Sequence, residues 1–159
     1  MTTNSYLVKA LDYYPYNLEE ALESLNYAMA YEENNPIALC LMGRVNLEIF
    51  KDYALANSYF REALAANVNY LETYAYFLDC LLIQEEFDEM NKLLTFARLR
   101  KGIDRGLLFY YEALLFEKQL KFKKAQKAIK EAMLLAQTGS FMSDLEEMKK
   151  RIEKKIGLK

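Results

Sequence analysis

Apolar and small residues recur along this chain with the period of a helix. Four segments carry them at i, i+3, i+7 and i+10: LEEALESLNYAMA from Leu18, YALANSYFREALA from Tyr53, FDEMNKLLTFARL from Phe87 and FKKAQKAIKEAML from Phe122. That spacing puts the four positions on one face of a helix. The segment starts are 35, 34 and 35 residues apart, and the same offsets link Ala28, Ala63, Ala97 and Ala132. A second helical stretch precedes each segment, at about 5–14, 37–49, 71–83 and 106–118. Short polar turns separate the two members of each pair. Asn17 can cap one helix with Glu20 reaching back, and Asn35-Pro36 marks a helix start. Gly102 and Gly106 bracket a later junction, where glycine can end a helix in a left-handed conformation.

The pattern predicts an all-α chain in which one helical hairpin repeats four times. The repeats run over about 5–34, 36–69, 70–102 and 105–138, in a single domain covering 1–159. Paired alanines seven residues apart let two antiparallel helices approach closely, and the larger residue between them fills the remaining space. Each hairpin buries its apolar face on its neighbours. The tail at about 141–157 places Leu145, Met148, Ile152 and Ile156 on one stripe, with lysines elsewhere. It reads as a helix that caps the last hairpin, its start held by Ser143 or Asp144. The rival reading is a basic amphipathic helix for a membrane or a partner.

Composition narrows the chemistry. The chain of 159 residues is 53% hydrophobic and 28% charged and contains no histidine. Histidine-based triads and histidine metal sites are therefore excluded, and no cofactor is expected. Cys40 and Cys80 are too few for a zinc finger or a disulfide scaffold, and both fall on apolar helix faces as packing residues. The five glycines form no phosphate-binding loop. Glu85, Glu86, Asp88 and Glu89 cluster at a turn and helix start, where negative charge complements the helix dipole. Nothing assembles a nucleophile with a base, so the chain is not read as an enzyme and no small-molecule substrate is expected. The start of the chain has no basic-then-apolar leader, and no apolar run reaches the ~20 residues that span a bilayer. A cytoplasmic location is the expectation.

Charge is segregated. Residues 1–90 carry 4 basic and 15 acidic side chains; residues 91–159 carry 17 and 8. Much of this is solvated helix surface. The sharper readings are head-to-tail self-association and an anionic partner held by Arg98, Arg100, Lys101, Arg105, Lys121 and Lys124. The pI of about 5.4 argues against a general nucleic-acid binder. Thirteen tyrosines and nine phenylalanines are too many for the core alone, and exposed tyrosine suits protein interfaces.

Tyr53, Ala56, Phe60 and Ala63, preceded by Leu39 and Met42-Gly43, carry a resemblance to the tetratricopeptide repeat family. Phe122, Ala125, Ile129 and Ala132, preceded by Phe109, Ala113 and Phe116, repeat it, and Tyr74, Leu81, Phe87, Leu94 and Ala97 carry it in the third unit. The resemblance covers about Ser5 to Gln137. It implies a right-handed α-solenoid whose first helices line a concave groove for a peptide or a partner helix. By position that groove holds Tyr6, Ala10 and Tyr13; Cys40, Arg44 and Leu47; Ala75, Asp79 and Leu82; and Tyr110, Leu114 and Glu117. The chain departs from the family at Lys9, Leu78 and Met90, where small residues are usual, and by one extra residue between Gly43 and Tyr53. The clamp that some members use on chaperone carboxylates is absent, its positions being Ala10, Leu41, Glu72 and Tyr76. The function implied is a protein-interaction module, an adaptor or scaffold. Its alternatives are a dedicated chaperone of a secreted or assembled client, and a binder of an anionic partner such as nucleic acid.

Overall fold

The computed structural model describes residues 4–158; residues 1–3 and 159 of the expected domain lie outside them. The fold is all-helical, 79% helix, with no strand among the described residues. Helices α1 (Ser5–Tyr13) and α2 (Leu18–Tyr31) form the first hairpin; α3 (Pro36–Val45), extended by a π-helical turn (Asn46–Phe50), and α4 (Tyr53–Ala66) form the second. Helices α5 (Glu72–Ile83) and α6 (Phe87–Arg98) follow, then α7 (Arg105–Lys118), α8 (Phe122–Leu135) and the terminal α9 (Gly139–Gly157).

The second helices α2, α4, α6 and α8 begin at Leu18, Tyr53, Phe87 and Phe122, where the aligned segments begin; side chains cap α2 and α4, and the first helices α3 and α7, whereas α6 and α8 start without a side-chain cap. Asn17, Asp52 and Asp104 accept backbone N–H bonds from Glu20, Leu55 and Leu107 at 3.3, 3.1 and 3.1 Å, while Asn35 accepts from Ile37 and Ala38 ahead of Pro36. These bonds satisfy helix-start donors that nothing else pairs. Helix α9 is capped by Thr138, five residues before the expected Ser143, so the helix gains a turn. Gly102 sits at φ 84°, in the left-handed region expected of it, but Gly106 lies buried inside the first turn of α7.

The extra residue in the second repeat has a structural answer. Helices α5 and α7 end with a left-handed residue, Glu85 or Leu120, and the next N–H reaches back five residues, Glu86 to Leu81 and Lys121 to Phe116. After α3 the left-handed residue is Lys51, and the N–H of Asp52 reaches back six, to Asn46. The π turn absorbs the insertion without displacing α4.

The chain divides into two compact units, Met1–Cys80 and Leu81–Lys159. The division falls in the third repeat, where Leu78 and Met90 replace small residues. In the first unit, Leu7 and Ala10 of α1 and Tyr14 just past its end meet Ala21, Leu25 and Ala28 of α2 and Ala38, Leu41 and Val45 of α3. In the second, Ala113 of α7 and Ala125, Ala128 and Ile129 of α8 pack against Met148 and Ile152 of α9. The stripe on α9 therefore covers the last hairpin, as a capping helix does. No described helix is long and apolar enough to cross a membrane.

Candidate functional site

The predicted groove positions separate into core, network and surface. Ala10, Cys40 and Leu47 are buried, at 0%, 2% and 5% exposure, and present nothing to a ligand. Burial pushes the thiols of Cys40 and Cys80 up to about 11, which keeps both protonated and unreactive. Arg44 is enclosed in a cluster that joins α1, α3 and α5. Its guanidinium lies 4.4 Å from the Tyr76 ring centre and 5.1 Å from that of Tyr14, and its Nε donates to Glu48 Oε1 at 3.1 Å. The Tyr14 hydroxyl donates to Glu48 Oε2 at 3.0 Å. Burial first, and Glu48 next, raise the Tyr14 hydroxyl well above the usual tyrosine range. The carboxylate neutralises the guanidinium between two rings, so the cluster closes on itself. Tyr14, Glu48 and Tyr76 were not among the predicted lining residues. The π turn moves the register on by one residue, burying Leu47 and bringing Glu48 to the position that meets α1.

Tyr6 and Tyr13 lie on another face of the first hairpin. Tyr6 packs on Tyr27 of α2 with ring centres 5.3 Å apart, and both tyrosines line a recess of about 190 Å³ with Lys9, Glu20 and Glu23. Ala75, Asp79 and Leu82 on α5 are half-buried.

In the second unit α9 occupies the predicted positions. Tyr110 meets Phe141 edge-on at 5.8 Å, and Leu114 packs into the core that Met148 and Ile152 complete. Glu117 accepts from Arg151 Nη2 and Lys155 Nζ, each at 3.0 Å, with its side chain 13% exposed. Burial works against its charge, but those hydrogen bonds and cations win and hold its carboxyl below the usual range.

The six predicted anion-binding residues do not form one patch. Arg98 donates to Glu112 at 2.8 Å, and the Arg100 guanidinium covers the Phe96 ring at 4.4 Å. These two, with Lys101 and Arg105, belong to the α6–α7 end of the unit. Lys121 and Lys124 lie past the far end of α7, about 20 Å away at 1.5 Å per residue over its 14 residues. There the sequence pattern did not reveal a recess of about 250 Å³ beside the α7–α8 turn. Leu120, Phe122 and Ile156 floor it, and Lys121, Lys123 and Lys124 edge it. Lys124 also borders a second recess of about 330 Å³, lined by Phe109, Phe116 and Lys127 and by the carboxylates Glu112 and Glu131. Its ammonium stands 5.8 Å from the Phe116 ring centre, and that of Lys155 stands 5.9 Å from Phe122. Among the described residues, Lys121, Lys123, Lys124 and Lys127 enter no ion pair. The first recess is thus an apolar floor with one aromatic ring, edged by the unpaired cations Lys121, Lys123 and Lys124.

A repeated helical hairpin with small residues at the contacts and a capping helix defines the fold of tetratricopeptide-repeat proteins, and this chain has that fold. Among solved structures it is similar to MamA (41-end) from Desulfovibrio magneticus RS-1, with a TM-score of 0.71 and 20% identity over 99% of this chain and 93% of that one. The MamA RS-1 ArsTM double mutant matches with the same TM-score and coverage at 19% identity. Identity this low speaks to the fold alone. No protein-family profile and no curated protein matches the chain.

Proposed function

We propose that the chain is a non-catalytic protein-interaction module whose fourth hairpin receives an acidic partner segment bearing an apolar anchor. One observation carries this reading: the Leu120–Phe122–Ile156 recess is apolar at its floor and edged by lysines with no carboxylate of their own. An apolar anchor gains by leaving water, and flanking carboxylates gain from cations already positioned. The first-helix positions of the same hairpin support it by default, since α9 covers them. A nucleic-acid duplex would use the lysines and leave the apolar floor unused.

A fluorescein-labelled synthetic peptide, helix-forming, with leucines on one face and glutamates on the other, tests the reading by anisotropy. Saturable binding that weakens with salt is expected, and Lys121→Glu with Lys124→Glu should weaken it by at least about tenfold. No saturation up to about 1 mM, or equal affinity in the reversed variant, would overturn the proposal.

A further inference from the structure

The molecule itself carries a surface of the complementary kind. On the first hairpin, Asp12, Glu19, Glu20, Glu23, Glu32 and Glu33 face a single basic residue, Lys9. Among the described residues none of these six acids is ion-paired. The hairpin also exposes aromatic rings: Tyr6, Tyr13 and Tyr27 around the recess that Glu20 and Glu23 edge, with Tyr16 and Tyr31 nearby. It is an acidic surface with apolar anchors, which is the chemistry the lysine-edged recess selects.

From this we infer that the partner is a second copy of this chain: the α1–α2 hairpin of one copy docks on the α7–α8 turn and α9 of the next. The inference rests on the reading above. Charge decides the pairing mode. The Leu81–Lys159 unit has 17 basic against 12 acidic residues and the Met1–Cys80 unit 4 against 11. Acid on acid or base on base is opposed by like charges; acid on base attracts, and each copy carries one face of each kind, so the contact joins the first hairpin of one copy to the basic face of another. Tyrosine rings supply area at low entropic cost, and their hydroxyls stay hydrated at the rim.

Light scattering of the full chain tests the inference. In about 20 mM salt the mass should rise above the monomer with concentration, and about 0.5 M salt should return it to the monomer. Glu20→Lys with Glu23→Lys should abolish association, as should Lys121→Glu with Lys124→Glu, each weakening it by at least about tenfold. All four positions are exposed, and circular dichroism checks the folds; the Gln versions of both pairs should give intermediate losses. Mixing the two reversed chains should restore the mass, because each reversed face then meets a complementary one. A wild-type chain that stays monomeric throughout, variants that associate like it, or a mixture that stays monomeric would each overturn the inference. If the chain is monomeric while the acidic peptide still binds the Lys121–Lys124 face, only the choice of partner fails. If that peptide also ignores the reversal, the interaction reading fails with it.

Discussion

Gly43 is the residue at which the hairpin packing leaves least room. A Cβ there would stand 2.5 Å from Cε1 and 2.6 Å from Cδ1 of Phe60. Phe60 is fully buried and stacked on Phe77, with ring centres 5.7 Å apart, so its ring has no free direction in which to yield. Alanine in place of a helical glycine ordinarily gains up to about 1 kcal/mol of stability. Overpacking a fixed core costs about 1–3 kcal/mol, which is the larger effect. Gly43→Ala should therefore destabilise the chain by about 1 kcal/mol net, read as a lower urea midpoint at unchanged slope. Gly139→Ala is the control: nothing lies within 4 Å of its Cβ position, so that change should be neutral or stabilising. A Gly43→Ala protein as stable as the parent would show that the Phe60 ring is not held as the packing implies.

At the scale of elements, the terminal helix depends on Glu117 as well as on its apolar stripe. Arg151 contributes two nitrogens to that carboxylate and Lys155 a third, and all three donors come from α9. Glu117→Ala should cost about 1 kcal/mol, since the two cations return to water when the carboxylate is gone. The lowered carboxyl pKa gives a sign as well. Its stabilisation is present above the ordinary carboxylate range and is lost as pH falls below that range through the lowered folded value, so α9 should loosen in acid. Faster amide exchange in α9 relative to α8 at pH 3 than at pH 6, with the difference absent in Glu117→Ala, checks this; equal protection at both pH values contradicts it. The elements themselves were legible because their signals are local. A period of 3.6, the caps Asn17 and Asn35 and the 35, 34 and 35 spacing set the starts of α2, α3, α4, α6 and α8. What the sequence hid depends on facing partners. One inserted residue rotates Glu48 into the place expected for Leu47, and no periodicity shows where such a slip is taken up. The cover that α9 lays over Tyr110 and Leu114 was equally hidden, because a capping helix predicted as such does not state which positions it claims. The lysines of the fourth hairpin were visible in the chain; their recess was not, since Leu120 and Ile156 meet there from 36 residues apart.

Across the whole molecule, sensitivity to pH is divided as charge is. The acid-labile contact of Glu117 belongs to the Leu81–Lys159 unit, whereas the groups that resist ionisation at high pH belong to Met1–Cys80. Cys40 and Cys80 are 2% and 0% exposed, and burial raises both thiols to about 11. Burial also raises the hydroxyls of Tyr14 and Tyr70, helped by their bonds to Glu48 and Glu72. For each group the folded chain holds its proton more tightly than the unfolded chain does. That preference contributes fully below the unfolded thiol value of about 8.5 and is lost as pH climbs from there through 11. Stability should be level from pH 6 to 8 and fall between pH 9 and 11, read as a declining urea midpoint. The double variant Cys40→Ala and Cys80→Ala should start from lower stability because two buried side chains are trimmed, and should fall less steeply over the same interval. Alkylation gives the parallel test: at pH 8 native Cys40 and Cys80 should react with iodoacetamide at least about a hundredfold more slowly than in urea, because a thiol at about 11 is almost wholly protonated there. A midpoint unchanged from pH 7 to 10.5 would mean that the two thiols ionise as freely folded as unfolded, and that the first unit opens to water around α3 and α5.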